Sequence, residues 1–198
     1  MTIINRGAYI EALQKQLEPN IVKHSFALEA CMGGLYDYFF SLGQIGPDEP
    51  SRDDWTLSGL IHDIDFGGEF KEFHPGKTKE ALAKYGLTIN EIVYKLIQSH
   101  DGRQGINKTT KAQWSIFCAD SLTGLIAAVA LVLPSKKLCD VQLPSVVKRF
   151  LKQPRFAAGT RREEVAMCSK PEALNLPLEK FIEICLTSMQ KISSEIGL

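Results

Sequence analysis

Cysteine is sparse and unpaired in this chain: five residues, Cys31, Cys118, Cys139, Cys168 and Cys185, with no CxxC spacing among them. The odd count and the missing spacing exclude a zinc knuckle and favour reduced thiols in a cytoplasmic protein over a disulfide frame. Net charge is absent, with 23 basic and 23 acidic side chains, so no global field pulls the chain toward nucleic acid or membrane. Long hydrophobic runs are absent too. The longest, from Leu122 to Leu133, is broken by Thr123 and Gly124. It spans about three helical turns, short of the ~20 residues a membrane span needs, and reads as a buried core helix. The amino-terminal stretch MTIINRGAYIEALQKQLEP lacks an apolar segment and a small-residue cleavage site, and is read as carrying no secretory signal. Histidine is scarcest of all the residues that matter below: four, all within the first 100 positions.

What is present is the composition of an ordinary soluble domain, 44% hydrophobic and 23% charged over 198 residues. That length fits one domain, or one domain with a helical appendage. The charge is uneven. Between Lys136 and Arg162 eight basic residues face one acid, Asp140, leaving this segment at +7 and the remainder at −7.

Helical signals dominate and no two-residue alternation is seen, so the expected fold class is all-α. A first helix is predicted over about 6–17, ending before Pro19, and a second from Ile21 to about Ser41, capped by Asn20 and stopped by Gly43. Ser51 and Asp54 resemble a capping box opening a helix over 52–62. Residues 63–75 look irregular. Pro75 is expected to start a helix ending near Gly86, and Thr88 with Glu91 to cap another ending near His100. A long helix is predicted from about Thr110 to Leu133, then shorter ones over 145–152, 161–169 and 178–195.

The histidines lie on apolar faces. His24 shares one with Ile21, Leu28 and Cys31, and His100 with Val93, Leu96 and Ile97. Asp120 sits inside the most apolar helix, and His62-Asp63 closes the run WTLSGLI. An unpaired buried carboxylate costs several kcal/mol, out of a total stability of ~5–15 kcal/mol. Hydrogen-bonded ion pairs or a bound cation must compensate. A divalent ion is the more economical choice, because it keeps imidazole neutral and carboxylate ionised. Each residue has a plainer reading taken alone: a satisfied core histidine for His24, a loop residue for His74, a helix-end residue favoured by the macrodipole for His100. The strength lies in the ordered set.

That order, KHSFALEA (His24), SGLIHDID (His62-Asp63), EFHPGK (His74), IQSHDG (His100) and FCADSLTGLI (Asp120), resembles the HD-domain superfamily of metal-dependent phosphohydrolases, and more narrowly its HDIG type. The resemblance runs from about residue 20 to 135, leaving 136–198 as a helical extension of a single domain 1–198. Asp65 stands where HDIG has its glycine. The resemblance implies an HD-type helical bundle with a metal site in its core. His24, His62, Asp63 and Asp120 would form the minimal ligand set, with His74 and His100 completing a second metal that Asp63 bridges. The implied cofactors are one or two divalent transition-metal ions (Fe, Mn, Co, Ni or Zn), suited to nitrogen and oxygen donors without thiolate.

The implied reaction is hydrolysis of a phosphate ester or anhydride of a nucleotide or other small molecule by a metal-activated hydroxide, oriented by Asp63 as catalytic residue. Two alternatives share the ligand set: an HD-fold di-iron oxygenase, and a non-catalytic nucleotide-binding regulatory module. The implied partner is a small phosphorylated substrate, with neither nucleic acid nor membrane. Lys77, Arg103, Arg155 and Arg161 are the candidate phosphate contacts, arginine being the better bidentate partner. Lys148, Arg149 and Lys152, at helical spacing, read as a solvated face. Gly124, one turn after Asp120, is expected either to admit a close-packed helix or to leave room for a ligand.

Overall fold

The computed structural model describes residues 5–198, so residues 1–4 of the stretch read as lacking a signal lie outside the described residues. Ten α-helices and four short 3-10 helices make up the regular structure, with no strand among the described residues. The helices are α1 (Arg6–Gln16), α2 (Pro19–Ser41), α3 (Arg52–Ile61), α4 (Thr78–Ala83), α5 (Glu91–Ser99), α6 (Lys111–Leu131), α7 (Leu143–Lys152), α8 (Arg162–Ala166), α9 (Leu178–Lys191) and α10 (Ser193–Ile196). The protein is all-helical, as its periodicity predicts.

Two long helices, α2 and α6, pack on each other and organise the rest. Helices α3 and α9 lie against α2, α5 lies against α3 and α6, and α8 covers another side of α6. One cluster of buried apolar side chains runs from Tyr9 to Ile196 and takes in Leu28, Met32, Trp55, Ile116, Val146 and Phe181. Helix α6 is long and apolar enough to cross a membrane by length and composition, but 67% of its most apolar window is buried inside the domain. It therefore occupies the place of a core helix.

Local chemistry accounts for several boundaries. Ser51 and Asp54 form the reciprocal capping box expected of them, and Thr110 forms a second with Gln113. Helix α2 begins two residues earlier than predicted: Pro19 takes the first turn, where its missing N–H costs nothing, and Asn20 is inside the helix. Asn90, not Thr88, caps α5, its side chain accepting from the Val93 N–H at 2.8 Å. Pro75 does not open a helix. Residues 75–77 form a turn, and α4 starts only at Thr78.

Gly59 on α3 shows how closely α2 and α3 approach. A Cβ at this position would lie 2.9 Å from both the Glu29 nitrogen and the Leu28 carbonyl oxygen, which are backbone atoms of α2. Gly59→Ala is expected to cost about 1–3 kcal/mol by overpacking, read as a lower denaturant midpoint. The Gly59 carbonyl also accepts from His62 Nδ1, so the change should also disturb the His62 ring.

Candidate metal centre

Six side chains from five places in the chain meet between α2, α3, α5 and α6. His24 projects from the second turn of α2 and Asp120 from the middle of α6. His62 and His100 are the C-cap residues of α3 and α5. Asp63 follows His62, and His74 ends the 3-10 turn Gly68–Phe73. All four carboxylates in or beside the cluster, Asp63, Asp65, Asp101 and Asp120, are buried. Apart from the imidazoles, the positive charge facing them comes from two guanidinium groups, those of Arg103 and Arg161. With the imidazoles neutral, the form that binds a metal, the arrangement holds more negative than positive charge at low dielectric, an imbalance a bound cation would correct.

The donor atoms form two groups. In the first, His24 Nε2 is 3.1 Å from His62 Nε2 and 2.9 Å from Asp120 Oδ1. Asp63 Oδ2 stands 3.2 Å from His62 Nε2 and 3.7 Å from His24 Nε2. In the second, His74 Nε2 is 3.1 Å from His100 Nε2, and Asp63 Oδ1 lies 3.5 Å from the former and 4.0 Å from the latter. Asp63 thus offers one oxygen to each group. Bonds of about 2.0–2.2 Å to a transition metal place neighbouring donors roughly 2.8–3.6 Å apart. The residues therefore fit one ion in the first group, and a second ion with slight closure of the other.

The far side of each ring fixes its tautomer. His62 Nδ1 donates to the Gly59 carbonyl (2.8 Å) and His100 Nδ1 to the Ile97 carbonyl (2.5 Å). His74 Nδ1 pairs with Asp65 Oδ1 at 2.7 Å. Thr123 Oγ1 donates to the Asp120 carbonyl, which leaves it to accept from His24 Nδ1 at 2.9 Å. Each neutral imidazole is then left with a bare Nε2, and the four bare nitrogens face one another in two pairs. In the metal-free chain a proton on His24 Nε2 meets Asp120 Oδ1 at 2.9 Å, whereas a cation held by each pair would satisfy all four nitrogens.

Titration follows this geometry. Burial pushes His100 down to about 4, so its Nε2 is unprotonated throughout the neutral range. Burial opposes ionisation of Asp120, but the hydrogen bond from His24 and the surrounding imidazoles outweigh it and hold the carboxyl well below its usual range. Burial likewise opposes Asp63, and the neighbouring His62 overrides it downward. His24, desolvated but paired with Asp120, is raised, giving the metal-free chain an ion pair as partial compensation.

The structure separates the four candidate phosphate contacts. Arg161 reaches Asp120 Oδ2 at 2.6 Å and Glu164 at 2.5 Å, and lines the cavity over the cluster. Arg103 lines the same cavity, held by Asp101 through Nε and Nη2. Lys77 is a correction: its ammonium turns away to Glu80 (2.6 Å), because only its backbone N–H, donating to Asp65 Oδ2 at 2.8 Å, faces the site. Arg155 is another. It is exposed and does not line the cavity, since the turn before Phe156 directs it to solvent.

Asp65 is the functional residue missed at the sequence level. It is fully buried, and both its oxygens are used, one on His74 and one on the Lys77 N–H. It therefore holds the irregular 63–77 segment in shape and aims the His74 ring. Asp65→Asn is expected to weaken binding at the second group about 10–100-fold, the usual effect of losing an outer partner of a ligand. A metal titration that leaves the His24 group unaffected would show it.

No family model, curated protein or solved structure matches the chain. Fold and site together define an all-helical protein with a buried His/Asp cluster able to hold metal.

Proposed function

We propose that the chain is a metal-dependent phosphohydrolase of the HD type, acting on a small phosphorylated substrate. The observation that carries this reading is the pair of facing-nitrogen groups joined through the two oxygens of Asp63, beneath a cavity of about 450 Å³ that two arginines enter. When bound, the ions would supply Lewis acidity toward phosphoryl oxygens and an acidified water as nucleophile.

The chain's own residues do the rest. Asp63 holds both groups in register and accepts a proton-bearing nucleophile's hydrogen bond. Asp120 is anchored by Arg161, which neutralises the oxygen not turned toward the histidines. Arg161 and Arg103 each retain guanidinium N–H groups unused by Asp120, Glu164 or Asp101, and these can meet phosphate oxygens. Those cations favour an anionic substrate.

The test is a broad panel of phosphate esters and nucleotides given to protein loaded separately with Mn, Co, Ni, Zn and Fe. Release of phosphate that disappears in His62→Ala supports the proposal. A coloured, oxygen-consuming iron form without phosphate release would favour the oxygenase, and tight nucleotide binding without product the regulatory module.

A further inference from the structure

The cavity over the metal cluster does not end at Gly124. A second cavity, of about 310 Å³, lies beyond it in the crevice between α2 and α6, and His24 and Gly124 line both. Its character is different. Ala27, Ala127, Leu131, Met189 and Ile196 form its walls, with Asn20 and Lys23 near the solvent edge. Leu131 is 53% exposed, although it belongs to the most apolar helix of the chain.

Gly124 stands at the junction. A Cβ built there meets nothing within 4 Å, so no neighbouring helix requires the glycine. Glycine in a helix interior costs about 1 kcal/mol relative to alanine. Close packing is therefore not the reason for the glycine, and the space beside it is open to a ligand. With the phosphate over the cluster, a group attached to it and directed along α6 would pass Gly124 and lie against Ala127 and Leu131, one and two turns further on.

We infer that the α2–α6 crevice is a subsite for the leaving group, and that the substrate is a phosphate ester of an elongated apolar alcohol, with Gly124 as the passage between its two ends. The inference rests on the proposed metal site for the position of the phosphate, but not on turnover. An apolar chain entering the crevice is bound by burial alone, so affinity should grow with length. A polar or compact leaving group has nothing to gain there.

The test uses alkyl phosphonates from methyl to octyl, which are not hydrolysed, titrated by calorimetry into the metal-loaded protein. Affinity is expected to rise about fourfold per methylene until the crevice is filled. In Gly124→Leu the ratio of octyl to methyl affinity should collapse toward one, while Gly124→Ala, which adds one methyl group to open space, should keep most of it. Leu131→Glu, a surface change that spares the core, should reduce the gain only for the longer chains. Affinity independent of length, or a length dependence untouched by Gly124→Leu, overturns the subsite while leaving the hydrolase reading intact. Length-dependent binding with no turnover of the matching esters keeps the subsite and overturns the hydrolase. Absence of any phosphonate binding overturns both.

Discussion

Asp63→Asn is expected to lower the metal content from about two equivalents per chain to one or fewer, and kcat/KM by on the order of a thousandfold. A thousandfold corresponds to roughly 4 kcal/mol of transition-state stabilisation. The reason is that one side chain serves both groups. Its Oδ2 lies 3.2 Å from His62 Nε2 and its Oδ1 3.5 Å from His74 Nε2. An amide keeps the shape but loses the charge, and it turns an NH2 toward one group of bare nitrogens. No other carboxylate can substitute: Asp120 is committed to His24 and Arg161, Asp65 to His74 Nδ1 and the Lys77 N–H, and Asp101 to Arg103. Elemental analysis and steady-state kinetics on the variant measure the two effects separately. Full metal content in Asp63→Asn would remove Asp63 from the bridging role.

Chelation is expected to destabilise the wild-type protein strongly and Asp63→Asn much less. A ligand present at 1,000 times its dissociation constant adds about 4 kcal/mol to the folded state. For a chain of this size that is roughly 8–16 °C in Tm. The source of the effect is visible in the charge balance: four buried carboxylates and four imidazoles gather where two guanidinium groups are the remaining countercharge. His100 adds a pH signature to the metal-free state. Its folded pKa, about 4, lies below the unfolded value of about 6.5. The unfolded chain therefore binds the extra proton first, and this residue's contribution to stability declines as pH falls from about 6.5 to 4. Thermal melts with and without chelator, at neutral and mildly acidic pH, report both effects.

Several residues of the cluster are legible in the sequence because a charged or polar residue on an apolar helical face is conspicuous. His24 beside Leu28 and Cys31, and Asp120 beside Ile116, stand out in this way, and both project into the cluster. Helical periodicity has no purchase on irregular backbone, and the misreadings fall there. Asp65 stands at the glycine position of the HDIG pattern, yet it is the partner that orients His74. Lys77 lies close to His74 along the chain, but its ammonium does not lie close to it in space. The turn at 75–77 presents its backbone and sends its side chain to Glu80. Arg155 and Arg161 look equivalent in a basic segment, and only the loop 157–161, which forms one wall of the cavity, separates them. The carbonyls of Gly59 and Ile97, which set two tautomers, have no side-chain signature at all. Gly124 is legible as an anomaly, and the open space around it removes close packing as the reason.

The central claim is that six side chains form two metal groups sharing Asp63. It is tested most directly by elemental analysis of the purified protein after incubation with Mn, Fe, Co, Ni or Zn and removal of free ion, alongside His74→Ala. About two equivalents per chain in the wild type and about one in His74→Ala is the expected result. A wild-type protein that retains none of these ions, or a His74→Ala variant that retains as many as the wild type, would contradict it.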